Sequence, residues 1–151
     1  VKPFERGIQA NLEAMVSRAN SVQGYLNRNL YRQYQNAQRT RWQTEGASEG
    51  TKWLPLNPGY AKRKLVRFAS YPGGGRKMMI ATKRLFDAVV GPSGEHRKEV
   101  TSRSLTIGWT TPYAVYADEK RPFSSFSNKT EQQMYDGLAK YLIEGILREI
   151  T

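Results

Sequence analysis

The sequence predicts an α+β fold in one domain, with a long N-terminal amphipathic helix, a small antiparallel sheet and a C-terminal helix. Three observations carry this. Apolar residues recur at steps of three or four near each end of the chain, apolar and polar residues alternate over Ser104–Trp109, and Gly, Pro and Ser interrupt the stretch between. Of the 151 residues, 1–43 form the helical segment, 44–128 a loop-rich region with short helices and antiparallel strands, and 129–151 the closing helix.

The first helix has its stripe at Phe4, Ile8, Leu12, Met15, Ala19, Val22, Leu26, Leu30, Tyr34 and Ala37, with Arg6, Arg18, Arg28, Arg32, Arg39 and Arg41 on the other face. Gly24 weakens its middle by about 1 kcal/mol relative to Ala, so a bend is expected there. After a Gly/Ser/Glu loop from Thr44 to Thr51, Pro55 and Pro58 hold Trp53–Tyr60 extended, and a short helix runs from about Pro58 to Val66. Trp53 is expected to pin this segment to the core. Tyr71–Lys77, with three consecutive glycines, predicts a flexible basic loop that takes its order from a partner. Thr82 is placed as the cap of a helix holding Leu85, Phe86 and Val89. Ser104–Trp109 and Tyr113–Ala117 are expected to pair as strands across the Thr110–Pro112 turn. Thr130 and Gln133 suggest a capping box for the last helix, whose stripe is Met134, Leu138, Leu142, Ile146 and Ile150.

Apolar residues make up 38% of the chain and mean hydropathy is −0.68, which implies a thin core and stability shared with partner subunits. The charge of +11 is lopsided: residues 1–84 hold 16 Lys and Arg against 4 Asp and Glu, and residues 85–151 hold 8 against 9. Such a basic half suits phosphate or an acidic protein surface. No run approaches the roughly 18 apolar residues that span a bilayer, and the first residues lack a signal-peptide layout, so a chain soluble as made, with no membrane partner, is expected.

The side chains that most often do catalysis are scarce. Cysteine is absent, and the one histidine, His96, lies in the polar stretch Gly94–Lys98 and reads as an exposed loop residue. Asp118 and Glu119 are adjacent and would point apart in an extended segment, which gives them a surface role. No metal-ligand spacing occurs, and Gly73-Gly74-Gly75-Arg76-Lys77 is followed by Met78 where a phosphate loop needs Ser or Thr. No catalytic residue, metal or cofactor is expected. Lys62-Arg63-Lys64-Leu65-Val66-Arg67-Phe68 and Arg39-Thr40-Arg41-Trp42 interleave cations with aromatics, so sequence-independent nucleic-acid contact stands open beside contact with an acidic partner.

Three segments in order resemble the virion morphogenesis and tail-completion family of tailed phages. They are Trp53-Leu54-Pro55-Leu56-Asn57-Pro58-Gly59-Tyr60-Ala61-Lys62-Arg63-Lys64, then Ile80–Val89, where Lys83 stands at the family's usual glycine, then Leu105–Gly108 through Pro112-Tyr113-Ala114 to Arg121-Pro122-Phe123. The resemblance implies an α+β subunit that forms a ring, expected to be a hexamer, joining the head connector to the tail around the DNA channel, without catalysis. It implies as partners copies of itself, head-tail connector proteins, and tail-terminator or tail-tube proteins, with non-specific contact to packaged DNA. The place implied is the virion's head-tail junction, after assembly in the host cytoplasm. A tail terminator at the same junction, or a non-specific nucleic-acid-binding protein, are the alternatives. The expected core or interface anchors are Trp53, Pro55, Leu56, Tyr60, Leu85, Tyr113 and Phe123. The expected DNA or acidic-partner contacts are Arg39, Arg41, Lys62, Arg63, Lys64, Arg67, Arg76 and Lys77.

Overall fold

A computed structural model describes residues 12–13, 16–20, 22–71, 75–76, 79–80, 82–91 and 93–147. Phe4, Arg6, Ile8, Met15, Gly73, Gly74, Lys77, Ile150 and the side chain of Ile146 lie outside the described residues. The described chain is α+β, as expected. Residues 16–20 are helical, and the helix is interrupted at Val22, whose φ of −94° and ψ of 11° leave helical geometry. The Val22 N–H donates instead to the Ser102 carbonyl at 2.9 Å. Helix resumes as α1 (Gln23–Tyr25), passes through a π-helical turn (Leu26–Leu30) and continues as α2 (Tyr31–Gln43). The expected bend near Gly24 is therefore a break beside it and a widened turn after it.

Gly46 and Gly50, at φ of 89° and 85°, bracket a 3-10 turn (Ala47–Glu49) that folds the chain back after α2. A Cβ on Gly46 would stand 2.4 Å from the Thr51 carbonyl, so only glycine fits there. Helix α3 (Pro58–Arg67) has Pro58 in its first turn, and the Asn57 side chain accepts from the backbone N–H of Gly59 at 3.0 Å and Tyr60 at 3.4 Å. Helix α4 (Arg84–Val90) starts after Lys83, not Thr82 as expected. Lys83 sits at φ 68°, and no side chain caps the helix.

Strands β1 (His96–Val100) and β2 (Leu105–Trp109) pair antiparallel, with His96 opposite Trp109 and Val100 opposite Leu105. The strand pairing expected across Pro112 is overturned: β2 pairs with the segment before it, and Tyr113–Ala117 belongs to helix α5 (Ala114–Lys120). Only Ala114 is buried on α5 and Ala117 packs half-buried three residues on, the spacing of a helix face. Helix α6 (Asn128–Leu147) begins two residues before Thr130, so the expected capping box is also corrected. The Ser127 hydroxyl accepts from the Thr130 N–H at 3.4 Å, while the Thr130 hydroxyl is turned to Glu49 at 3.0 Å.

Two apolar clusters organise these elements. The first holds Trp42, Trp53, Leu85, Val89, Ala114 and Phe123, with Leu56, Met79, Phe86 and Trp109 against it. Its rings meet edge to face or tilted, Trp42 lying 5.3 Å from both Trp53 and Phe123. The second holds Val22, Tyr25 and Leu26, covered by Val100 and Leu105 from the hairpin and by Leu138, Tyr141 and Leu142 from α6.

Candidate interaction groove

A seam of polar groups fixes the groove from behind. Arg41 is 2% exposed and lies where the 3-10 turn meets residues 121–127. Its guanidinium donates to the carbonyls of Phe123 and Ser125, stands 3.4 Å from Glu49 and lies 5.0 Å from the Phe126 ring centre. Burial pulls the Arg41 pKa below its ordinary value, against the opposing charge of Glu49. Burial also pushes the Glu49 carboxyl up, but hydrogen bonds from Ser127 and Thr130 and the charge of Arg41 outweigh it and hold the pKa below the ordinary range. Asp118 does similar work from α5, accepting from the backbone N–H of Phe123 at 2.6 Å and of Ser124 at 2.9 Å. Arg41 is thus a structural cation, not the partner contact expected. Asp118 shapes the 121–124 turn in place of a surface role.

With that turn fixed, α3, Met79, residues 82–85 and α5 enclose an open groove of about 720 Å³. Leu56, Met79 and Leu85 give it apolar surface, while Tyr60, Phe68, Tyr113 and Tyr116 supply aromatic surface. Four cations line it, Lys64, Lys83, Arg84 and Arg121, and no Asp or Glu is among the described lining residues. Asp87 pairs with Lys83 at 3.2 Å, and Glu95 grips Arg84 in a bidentate contact, with Thr111 donating to Glu95 at 2.8 Å. The Arg84 bond holds the Glu95 carboxyl below the ordinary range, and the same bond raises Arg84. Lys64 is 3% exposed. Burial first, then the neighbouring charge of Arg121, lowers its pKa against the pull of Glu45. The Arg121 guanidinium also donates to the Leu54 carbonyl at 3.2 Å.

No protein family, curated protein or solved structure matches this chain.

The expected anchors divide into two sets. Trp53, Leu85 and Phe123 are buried in the first cluster and Leu56 packs half-buried against it, whereas Pro55, Tyr60 and Tyr113 are exposed and are not core residues. Tyr60 and Tyr113 line the groove instead, Tyr60 one turn before Lys64 on α3 and Tyr113 at the N-cap of α5. Of the expected basic contacts, Arg39, Lys62, Arg63, Arg67 and Arg76 are exposed, while Arg41 and Lys64 are buried. Of the Tyr71–Lys77 loop, Tyr71, Gly75 and Arg76 are among the described residues. Gly75 is buried at φ 69°, so close to α3 that a Cβ would stand 2.4 Å from the Lys64 carbonyl.

His96 is not an exposed loop residue. It is half-buried at the start of β1, its Nδ1 2.8 Å from the Ala88 carbonyl and its Nε2 3.0 Å from the Tyr31 hydroxyl. A carbonyl only accepts, so Nδ1 carries a proton and His96 ties the hairpin to α4 and α2. Among the described residues no group of three or more His, Asp or Glu could hold a metal ion, and no helix is long and apolar enough to cross a membrane.

Tyr116, Lys83, Arg84 and Arg121 also line the groove but were not among the expected anchors or basic contacts. Tyr116 lies three residues after Tyr113, a spacing that brings two rings to one side of a helix but to opposite faces of a strand. Reading the segment as a strand hid the pair.

Proposed function

We propose that this chain is a structural protein of a tailed-phage virion, a neck or tail-completion subunit that forms a ring between head connector and tail. The ring is expected to be hexameric and to surround the DNA channel, with connector and tail-terminator or tail-tube proteins as neighbours, and the chain carries out no catalysis. The observation that carries the reading is the aromatic surface left open in the groove. Tyr116 is 67% exposed, Tyr60 45% and Tyr113 43%. Clustered apolar exposure of this kind on a small domain marks surface that a neighbour covers. The three segments that carry the family resemblance also converge. Trp53 donates from its indole to the Pro122 carbonyl at 3.1 Å, Arg121 reaches Leu54, and Leu85 joins Trp53 and Phe123 in one cluster. Sequence positions far apart thus build one unit.

The test is solution mass with and without the neighbouring virion proteins. A closed oligomer, alone or on addition of connector, is expected, and a monomer that ignores both neighbours counts against the reading.

The exposed cations Arg39, Lys62, Arg63, Arg67 and Arg76 favour a second reading, sequence-independent nucleic-acid binding. Titrating duplex DNA at two salt concentrations separates the two. Tight binding by an isolated monomer that weakens steeply with salt supports the second.

A further inference from the structure

We infer that the outer face of α3, with Arg76 beside it, is a surface for the phosphate backbone of nucleic acid, held without regard to sequence. This deepens the nucleic-acid reading above by naming its surface. It rests on that reading and not on the closure of a ring.

Residues 50–86 hold nine Lys and Arg and no Asp or Glu. A soluble surface ordinarily intersperses the two signs, so a stretch of this length with one sign sets up a field for an anion. The fold sorts these cations into two sets. On the groove side Lys64 is buried, Lys83 pairs with Asp87, and Arg84 pairs with Glu95. Lys62, Arg63, Arg67 and Arg76 are exposed, and no carboxylate among the described residues pairs with any of them. On α3, Lys62 and Val66 are four apart, as are Arg63 and Arg67, and the two rows lie side by side on one helix face. Gly75 packs against the backbone of Lys64 and Leu65, which sets Arg76, the next residue, beside the same helix. The Arg67 guanidinium lies 5.5 Å from the Phe68 ring centre, a contact that steadies it without neutralising it.

The make-up of this face selects the partner. A protein partner is met by an apolar or aromatic core inside a polar rim, and here the apolar residue, Val66, is enclosed by three cations. A helix lying on a membrane needs an open apolar side opposite its cations, whereas the opposite side of α3 carries buried Lys64 and half-buried Phe68. Unpaired Lys and Arg with no acid among them suit a phosphate backbone, whose contacts are charge to charge and read no base.

The experiment titrates the full chain with two duplex DNAs of unrelated sequence between about 50 and 200 mM salt. Four cations on phosphates predict a slope of about −3.6 in log affinity against log salt, a weakening of about a hundredfold over that range, alike for both duplexes. Lys62→Gln and Arg63→Gln should each make the slope shallower by about 0.9, and Arg63→Gln with Arg67→Gln by about 1.8, which leaves a weakening of about tenfold. Arg39→Gln, at an exposed cation on α2, should leave the slope unchanged. All these positions are exposed, so folding is retained, and a thermal melt checks this. A wild type that binds neither duplex overturns the inference and the nucleic-acid reading together. DNA bound with an unchanged slope in the α3 variants, or with a slope equally reduced by Arg39→Gln, overturns the inference and leaves that reading standing. A marked preference for one duplex overturns it as well. Polyglutamate bound more tightly than DNA, with the same losses in the variants, overturns it in favour of an acidic protein.

Discussion

Arg41 and Lys64 on one side and Tyr60, Tyr113 and Tyr116 on the other exchange the places their chemistry suggests. The two cations are buried, and the three aromatic residues face solvent. The Arg41 seam is closed: its cation meets two carbonyls and a carboxylate, and the adjoining turn is held by Asp118. The groove is open, with like charges side by side and aromatic rings uncovered. A region that buries its cation among carbonyls and a carboxylate serves the fold, and one that leaves aromatic surface open is suited to a partner.

Substitutions can break this contrast. The largest effect is expected for Phe123→Ala, which empties the centre of the first cluster and should cost about 3–5 kcal/mol in denaturant unfolding. Arg41→Met removes the cation of a buried pair, leaving the Ser125 carbonyl without its donor and Glu49 without its counter-charge, for a loss of about 3 kcal/mol. Arg39→Ala, two residues away and exposed, should stay within about 0.5 kcal/mol, and equal costs for the two would contradict the contrast.

Glu49 gives the seam a pH dependence. Its folded pKa lies below the ordinary 4.5, so its contribution is present above that value and is lost as pH falls through it toward the folded pKa. Melting temperature should therefore drop on acidification below about pH 4.5, and Glu49→Gln should flatten part of that drop. Glu95 is lowered in the same direction by its Arg84 bond, so Glu95→Gln should leave the Glu49 portion intact. The smallest effect on stability belongs to Tyr116→Ala, within about 0.5 kcal/mol, with self-association reduced by far more. A large loss of stability there would make the groove a part of the core.

The end helices, the break near Gly24, the Pro58 helix and the burial of Trp53, Leu85 and Phe123 were legible, because periodicity, proline and aromatic content are local signals. The partner of β2 was not. Alternation marks a strand but does not say which neighbour pairs with it, and the short run at Tyr113–Ala117 fitted both periods until Ala114 and Ala117 were seen to face the core. Arg41 and Arg39 share a composition and a helix, and what separates them is a carboxylate and two carbonyls supplied from residues 49 and 123–125. His96 looked like a loop residue for the same reason, since Ala88 and Tyr31 reach it from other elements. The groove could be read only in fragments, as Tyr60, Lys64 and Tyr113 without the cations opposite.

The most direct test of the central claim is quantitative mass spectrometry of purified phage particles, paired with electron microscopy of particles made without this gene product. The account predicts a small fixed number of copies in every complete virion, and DNA-filled heads separate from finished tails when the protein is missing. Its absence from purified virions, or normally joined particles assembled without it, would contradict the account.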